Sequence, residues 1–391
     1  MRLAVASSHP IQYHSPFFCE LAKRLDLMVF YAHRATPTDQ GDAGFDVPFE
    51  WDTDLFSGYA YEFLWNVSGR PSLDRFDGCD TPEISERLRL GRFDALLVPG
   101  WHRKSFLQAI VGAKRLGLAT LVRGDSHLGT PRSWAKRAAK GIVYPPFLRV
   151  FSAALYVGKQ SYEYWTHYGF PKARLFSSPH CVDTERFARS ATPEARIQIR
   201  GQLAIRPDAR VVLFAGKLLP FKRPLDVVDA VRRLGERGKK VDLLVAGDGP
   251  LREALILASS QAQVDLHLLG FCNQSLMPAV YAAADVLVLP SDGRETWGLV
   301  GNEAIASGLP VILSDAVGAA ADLVADGSAG RMFPVGNIAA LANAIEDILS
   351  VPPSPEALSR ASRGHSLVAA ADGVLEALKC VSTAGRKTAP C

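Results

Sequence analysis

The chain has 391 residues, a formal charge of +4, 48% apolar and 21% charged residues, so it is too long for one hydrophobic core and too apolar to stay disordered. Two globular domains are expected. The mild positive charge permits an anionic ligand or membrane surface without demanding either, and with no nucleic-acid motif it argues against a nucleic-acid partner. The six cysteines form no CxxC pair, and ten residues separate the nearest two. That pattern suits a reducing compartment, with neither a zinc site nor a disulfide frame.

No run approaches about 18 apolar residues. The opening MRLAVASSHPIQYHSP is too short and polar for a secretory leader, so a cytoplasmic protein is expected. In the first half, strands are predicted at LAVAS from Leu3, LMVFYA from Leu27, ALLVPG from Ala95, ATLVRG from Ala119 and ALYVG from Ala154. Most are unbroken apolar runs, as strands covered on both faces should be. SPFFCELAKRL between them reads as a helix, with Ser15 as cap and Pro16 in the first turn. TPRSWAKRAAKGIVYPPFLRVF, residues 130–151, carries Arg132, Lys136, Arg137, Lys140 and Arg149 among apolar residues. It reads either as a basic amphipathic helix resting on an anionic membrane or as an ordinary helix with a solvated basic face, and Pro145–Pro146 should end it.

The second half repeats the rhythm. RVVLFAG, VDLLVAG, VDLHLLG, DVLVLPS and LPVILSD each leave into a Gly, Ser or Asp turn and then a helix. Right-handed crossovers put those turns on one edge, where open α/β sheets bind ligands. The expected architecture is two Rossmann-like, doubly wound parallel-sheet α/β domains facing a central cleft. They cover 1–187 and 188–365, followed by a helix over 366–381 that returns toward the first domain and a flexible tail, 382–391.

Two acids stand out in SDGRETWGLVGNEAIASGLPVILSD: Glu295 in the turn before a helix-prone run, and Glu303 about two turns along it. A helix start offers unpaired N–H groups and a partial positive charge, a natural seat for phosphate. Acids on either side could hold a sugar and a ribose about a diphosphate. Alone, such a pair is more often a helix-end charge and a solvated surface acid.

The surroundings decide. YAAADVLVLPSDGRETWGLVGNEAIASGLPVILSD, FAGKLLPFKRPLDVVDAV, LLVAGDGPLREAL, GSAGRMFPVGNIAALANAI and SPHCVDTERF together resemble the signature blocks of retaining GT-B glycosyltransferases of the family 4, or group 1, type, strongly from about 174 to 350 and more weakly before. The resemblance implies a nucleotide-sugar donor, UDP- or GDP-linked, and a hydroxyl acceptor such as a lipid-linked glycan, with neither metal nor cofactor. Glu303 would bind the ribose, Glu295 the transferred sugar, and the amides of Thr296, Trp297, Gly298 and Leu299 the diphosphate. Lys217 and Lys222 would neutralise the leaving group, the first replacing the family's usual Arg. Gly216 would let the backbone approach the ligand, and Arg223 stands where the family often has Gly. Phe271, Cys272 and Asn273 fall where family loops line the base pocket; Asp248 more simply holds a turn.

The resemblance also implies that the N-terminal half holds the acceptor and that a His or Asp ending one of its central strands reaches the donor sugar. TLVRGDSHL offers Asp125 and His127 for that place, with a helix cap and a surface histidine as their alternatives. His9, Gln12 and His14 crowd the first turn, and Trp101, His102 and Arg103 end another strand; all six are acceptor candidates, with plain packing as the alternative. Two rivals are weighed: a nucleotide-sugar epimerase of the same fold, and a non-catalytic nucleotide-sugar-binding partner.

Overall fold

The computed structural model describes residues 1–36 and 49–387. Its two sheets are parallel throughout. The first has the order β3-β2-β1-β4-β5-β6-β7, built from β1 (Arg2–Ser7), β2 (Asp26–Tyr31), β3 (Ala60–Phe63), β4 (Ala95–Val98), β5 (Ala119–Gly124), β6 (Ala153–Tyr156) and β7 (Leu175–Ser177). The second runs β10-β9-β8-β11-β12-β13, from β8 (Val211–Ala215), β9 (Asp242–Ala246), β10 (Leu266–Gly270), β11 (Val286–Leu289), β12 (Val311–Ser314) and β13 (Gly330–Phe333). Each sheet reverses its strand order once, between β1 and β4 and between β8 and β11, and a crevice opens at such points. This is the expected doubly wound architecture, repeated.

Unbroken apolar strands are what two covered faces require. Along β8, Val211, Leu213 and Ala215 enter one core, and Val212 and Phe214 the other. The same alternation divides Leu3 and Val5 from Ala4 and Ala6 in β1. The strands invisible in the sequence, β3, β7 and β13, are edges of their sheets. They are half-exposed and carry no continuous apolar run.

The chain crosses between sheets over residues 178–183. The expected boundary at 187/188 falls inside the helix Thr184–Ser190. Phe187 of that helix packs on Tyr281 at 6.1 Å in the second domain's core. A second crossing runs beside the first, where Val182 bridges to Ser366. The last helix, Leu367–Lys387, then lies on the first domain: Ser178 Oγ donates to the Ala370 carbonyl at 2.8 Å and Arg24 pairs with Asp372 at 2.6 Å. It continues past residue 381, into the stretch expected to be a flexible tail; residues 388–391 lie outside the described residues.

Two local expectations are corrected. Ser15 does not cap the first helix, which runs His14–Ala22 with Tyr13 before it. Ser15 Oγ instead donates to the Ile11 carbonyl at 3.3 Å from inside the first turn. Pro145 and Pro146 do not end their helix, which runs Trp134–Leu148 through both. The prolines deprive the Gly141 and Ile142 carbonyls of helical partners, but both residues are exposed and reach water. Tyr144, Phe147 and Leu148 meanwhile pin the segment to the core.

Candidate functional site

A cleft of about 690 Å³ lies between the sheets, lined by loops that follow strands of both. On the second-domain side β8 ends at Gly216, whose φ is 140°. A Cβ on Gly247, after β9, would come within 1.9 Å of the Gly216 carbonyl. The two strand exits therefore touch backbone to backbone, which keeps the floor open for a ligand.

Lys217 and Lys222 rise from the loop after β8, both in the cleft lining. The Lys222 ammonium pairs with the Glu295 carboxylate, each side chain about one-seventh exposed (15% and 14%). Glu295 also accepts from Ser291 Oγ at 3.2 Å. Burial and the neighbouring Lys222 charge lower the Lys217 pKa, with Glu295 acting against them. An anion placed here would favour the ammonium form of Lys217. Arg223 is not a further cation for the cleft: it stands in left-handed backbone, φ 53°, and binds Asp226 of the next helix at 2.7 and 3.1 Å. That φ is the conformation a glycine adopts without penalty. Asp248 holds its turn, accepting from the Gly249 amide at 2.8 Å and from Arg252 at 3.2 Å.

The helix expected between the two acids is shorter than the sequence suggests. It spans Leu299–Ala306, so Glu303 stands about one turn in rather than two. Gly298 precedes it at φ 96°, and a Cβ there would strike Leu289 at 2.5 Å. The Gly301 amide closes the first turn on the Gly298 carbonyl at 2.9 Å, while the Leu299 and Val300 amides come before any partner the helix itself supplies. Trp297 faces away from the cleft. Its indole is buried, donates to Asn302 Oδ1 at 2.8 Å and packs between His180 and His365 at 5.2 and 5.6 Å.

Glu303 is buried at the cleft wall and accepts from Tyr281 OH at 2.5 Å and Gln274 Nε2 at 3.1 Å. Arg186 fixes Gln274 through its carbonyl and Oε1, both at 2.9 Å. Burial raises the Glu303 pKa despite the donors around it. Neither Tyr281 nor Arg186 figures among the sequence candidates. Arg186 lies in SPHCVDTERF, the one block that hinted at it.

From the first domain, Asp125 crosses the cleft to accept from Thr296 Oγ1 at 2.9 Å, with His180 Nε2 at 3.7 Å. Burial would raise its pKa, but the His180 and Thr296 contacts outweigh it and pull it down. Burial also lowers the His180 pKa, with Asp125 acting against it. His127 is buried, and neither ring nitrogen has a hydrogen-bond partner.

The base-side candidate Phe271 is met by a first-domain loop. Phe49 lies on it at 4.4 Å and Trp51 on Phe49 at 4.8 Å. Asn273 Nδ2 donates to the Glu50 carbonyl at 2.6 Å, and Asp52 accepts from the Ser275 amide at 3.1 Å and from its hydroxyl. This loop carries no motif and was missed in sequence. Of the acceptor candidates, His9, Gln12 and Arg103 line the cleft. The other three pack elsewhere. His14 lies beside Phe18 at 5.9 Å, its pKa pushed down to about 3 by burial and Arg123. His102 packs on Phe106 at 5.3 Å. Trp101 packs on Tyr144 and Phe147 at 5.5 and 5.2 Å.

Two parallel-sheet domains with such a cleft define the GT-B fold. Residues 195–365 match the family model of the glycosyl transferases group 1. Over 206 residues the chain is 32% identical to the GDP-mannose-dependent alpha-(1-6)-phosphatidylinositol monomannoside mannosyltransferase of Mycolicibacterium smegmatis, covering 50% of this chain and 53% of that protein. It is 34% identical over 211 residues to the D-inositol 3-phosphate glycosyltransferase of Geodermatophilus obscurus, covering 51% and 45%. The match thus spans about half the length of these curated relatives. Over nearly the whole chain the fold is that of the Anabaena HepE structure in complex with UDP, with a TM-score of 0.71 at 17% identity, covering 97% of this chain and 100% of that one.

Proposed function

We propose that the protein is a retaining glycosyltransferase that moves a hexose-type sugar from a nucleoside-diphosphate sugar to a hydroxyl acceptor. The observation that carries the reading is the convergence of Lys217, Lys222, Glu303 and Val300 of the Leu299–Ala306 helix start on one cleft, with Glu295 paired to Lys222 beside it. In the reaction the C1–oxygen bond to the diphosphate breaks, and the acceptor oxygen bonds to C1 on the same face. The acceptor's proton passes to the departing diphosphate. Charge grows on that diphosphate, where two fixed ammonium groups and the helix amides stabilise it without a metal. The Glu295 pair holds Lys222 in place before donor arrives. Asp125, through Thr296, ties the first domain to the turn that receives the diphosphate.

The donor is UDP- or GDP-linked in this reading. One relative is described as GDP-mannose-dependent, and one solved neighbour was obtained with UDP. The test is a metal-free thermal-shift screen with UDP, GDP, ADP, TDP and their sugar conjugates. A ligand that binds only the folded chain raises its melting temperature. One nucleotide should shift the wild type and fail to shift Glu303→Ala. With donor and acceptor in hand, the product's anomeric configuration by NMR should match the donor's; inversion would overturn the retaining assignment, and no shift with any nucleotide would overturn the enzyme reading.

A further inference from the structure

The helix Trp134–Leu148 is oriented opposite to an ordinary surface helix. Its one fully buried residue is Leu148. Trp134 is 82% exposed, Ile142 77% and Val143 57%. At spacings of four and three, Trp134, Ala138, Ile142 and Pro145 share one face, with Ala135, Ala139 and Val143 beside them. None of these side chains is polar. The other side is the packed one: Tyr144 and Phe147 lie on Trp101, and Lys140 Nζ bonds Tyr164 OH at 3.2 Å. The protein therefore turns a continuous apolar stripe toward solvent, which marks an interaction surface.

Charge narrows the partner. From residue 126 to residue 162 there is no Asp or Glu, while Arg132, Lys136, Arg137, Lys140, Arg149 and Lys159 are all basic. Lys136 and Arg137 are exposed and flank the stripe. A second copy docked face to face would set this basic rim against itself. A bilayer with anionic headgroups answers both features at once: its interface takes Trp, Ile and Val, and its phosphates take the rim. Among the described residues no helix is long and apolar enough to cross a membrane, so the contact is a surface one.

The position relates this face to the cleft. The helix begins nine residues after Asp125, and the loop between meets the donor side at Gly293, where a Cβ would come within 2.8 Å of the Gly129 carbonyl. We propose that the Trp134–Val143 stripe docks the protein on an anionic bilayer, so that the cleft addresses the hydroxyl-bearing headgroup of a membrane-held acceptor. The acceptor clause rests on the glycosyltransferase reading; the docking does not.

The test is co-sedimentation of the full chain, without donor, with vesicles of phosphatidylcholine containing phosphatidylglycerol and with phosphatidylcholine alone. The wild type should pellet with the anionic vesicles and lose that binding in high salt. Trp134→Glu with Ile142→Glu should cut the binding at least about tenfold. Lys136→Glu with Arg137→Glu, which leaves the stripe intact, should do so by a similar factor. Both variants should keep the wild-type circular dichroism and nucleotide thermal shift, which separates lost docking from lost folding or a lost donor site. Equal pelleting with and without vesicles would overturn the proposal. So would wild-type binding by both variants, or a solution dimer that Trp134→Glu with Ile142→Glu converts to monomer.

Discussion

Replacing Lys222 by Ala separates its two tasks. In the free protein it neutralises Glu295; in the proposed reaction it neutralises the departing diphosphate. Both partners are only about one-seventh exposed, so the ion pair is poorly screened. Lys222→Ala leaves the Glu295 carboxylate with the Ser291 hydroxyl at 3.2 Å as its remaining donor. An under-satisfied buried charge of this kind costs about 1–3 kcal/mol, read as a lower urea midpoint. The catalytic loss should be larger. Deleting one preorganised donor to a developing anion costs about 10²–10³ in kcat, about 2.7–4 kcal/mol. The double variant Lys222→Ala with Glu295→Gln removes the stranded charge and should recover most of the stability while kcat stays low. Unfolding and donor turnover measured on the same preparations form the cycle. If Lys222→Ala retains more than about a third of the wild-type kcat, Lys222 does not stabilise the leaving group.

Four further outcomes are expected. Because burial raises the Glu303 pKa, the folded state holds that proton more tightly than the unfolded chain; stability is full below the unfolded glutamate's range and falls as pH climbs through the raised folded value. Glu303→Gln should therefore be more stable than wild type at neutral pH, with the gain vanishing in acid, yet lose nucleotide binding; a gain that grew on acidification would reverse the argument. Phe49→Ala removes a ring stacked on Phe271 and should weaken nucleotide binding about tenfold by calorimetry; an unchanged Kd would take the first-domain loop out of the base pocket. Trp297→Phe keeps the ring but drops the hydrogen bond to Asn302, for about 1–3 kcal/mol of stability with nucleotide affinity retained. EDTA should leave turnover intact, and a loss that Mg²⁺ restores would require a metal in place of the lysine pair.

The apolar runs announced ten strands and the βαβ order, because a strand covered on both faces must be written in Val, Leu, Ile and Ala whatever its neighbours. Motif order likewise placed Lys217, Lys222, Glu295 and Glu303 after their strands. Tertiary structure alone settled what each side chain meets. That Glu295 is held by Lys222, that Glu303 hangs from Tyr281 and an Arg186-held Gln274, and that Trp297 turns into the core all follow from distant segments packing together. The edge strands, the Phe49 loop and the helix that runs through Pro145 and Pro146 were illegible for the same reason: half-exposed edges have no apolar period, and a proline's cost depends on whether its neighbours are pinned. The stripe from Trp134 to Val143 shows the limit plainly. Its residues read equally as a membrane-resting helix and as an ordinary basic one; only the structure shows that Tyr144, Phe147 and Leu148, and not Trp134 and Ile142, face the protein.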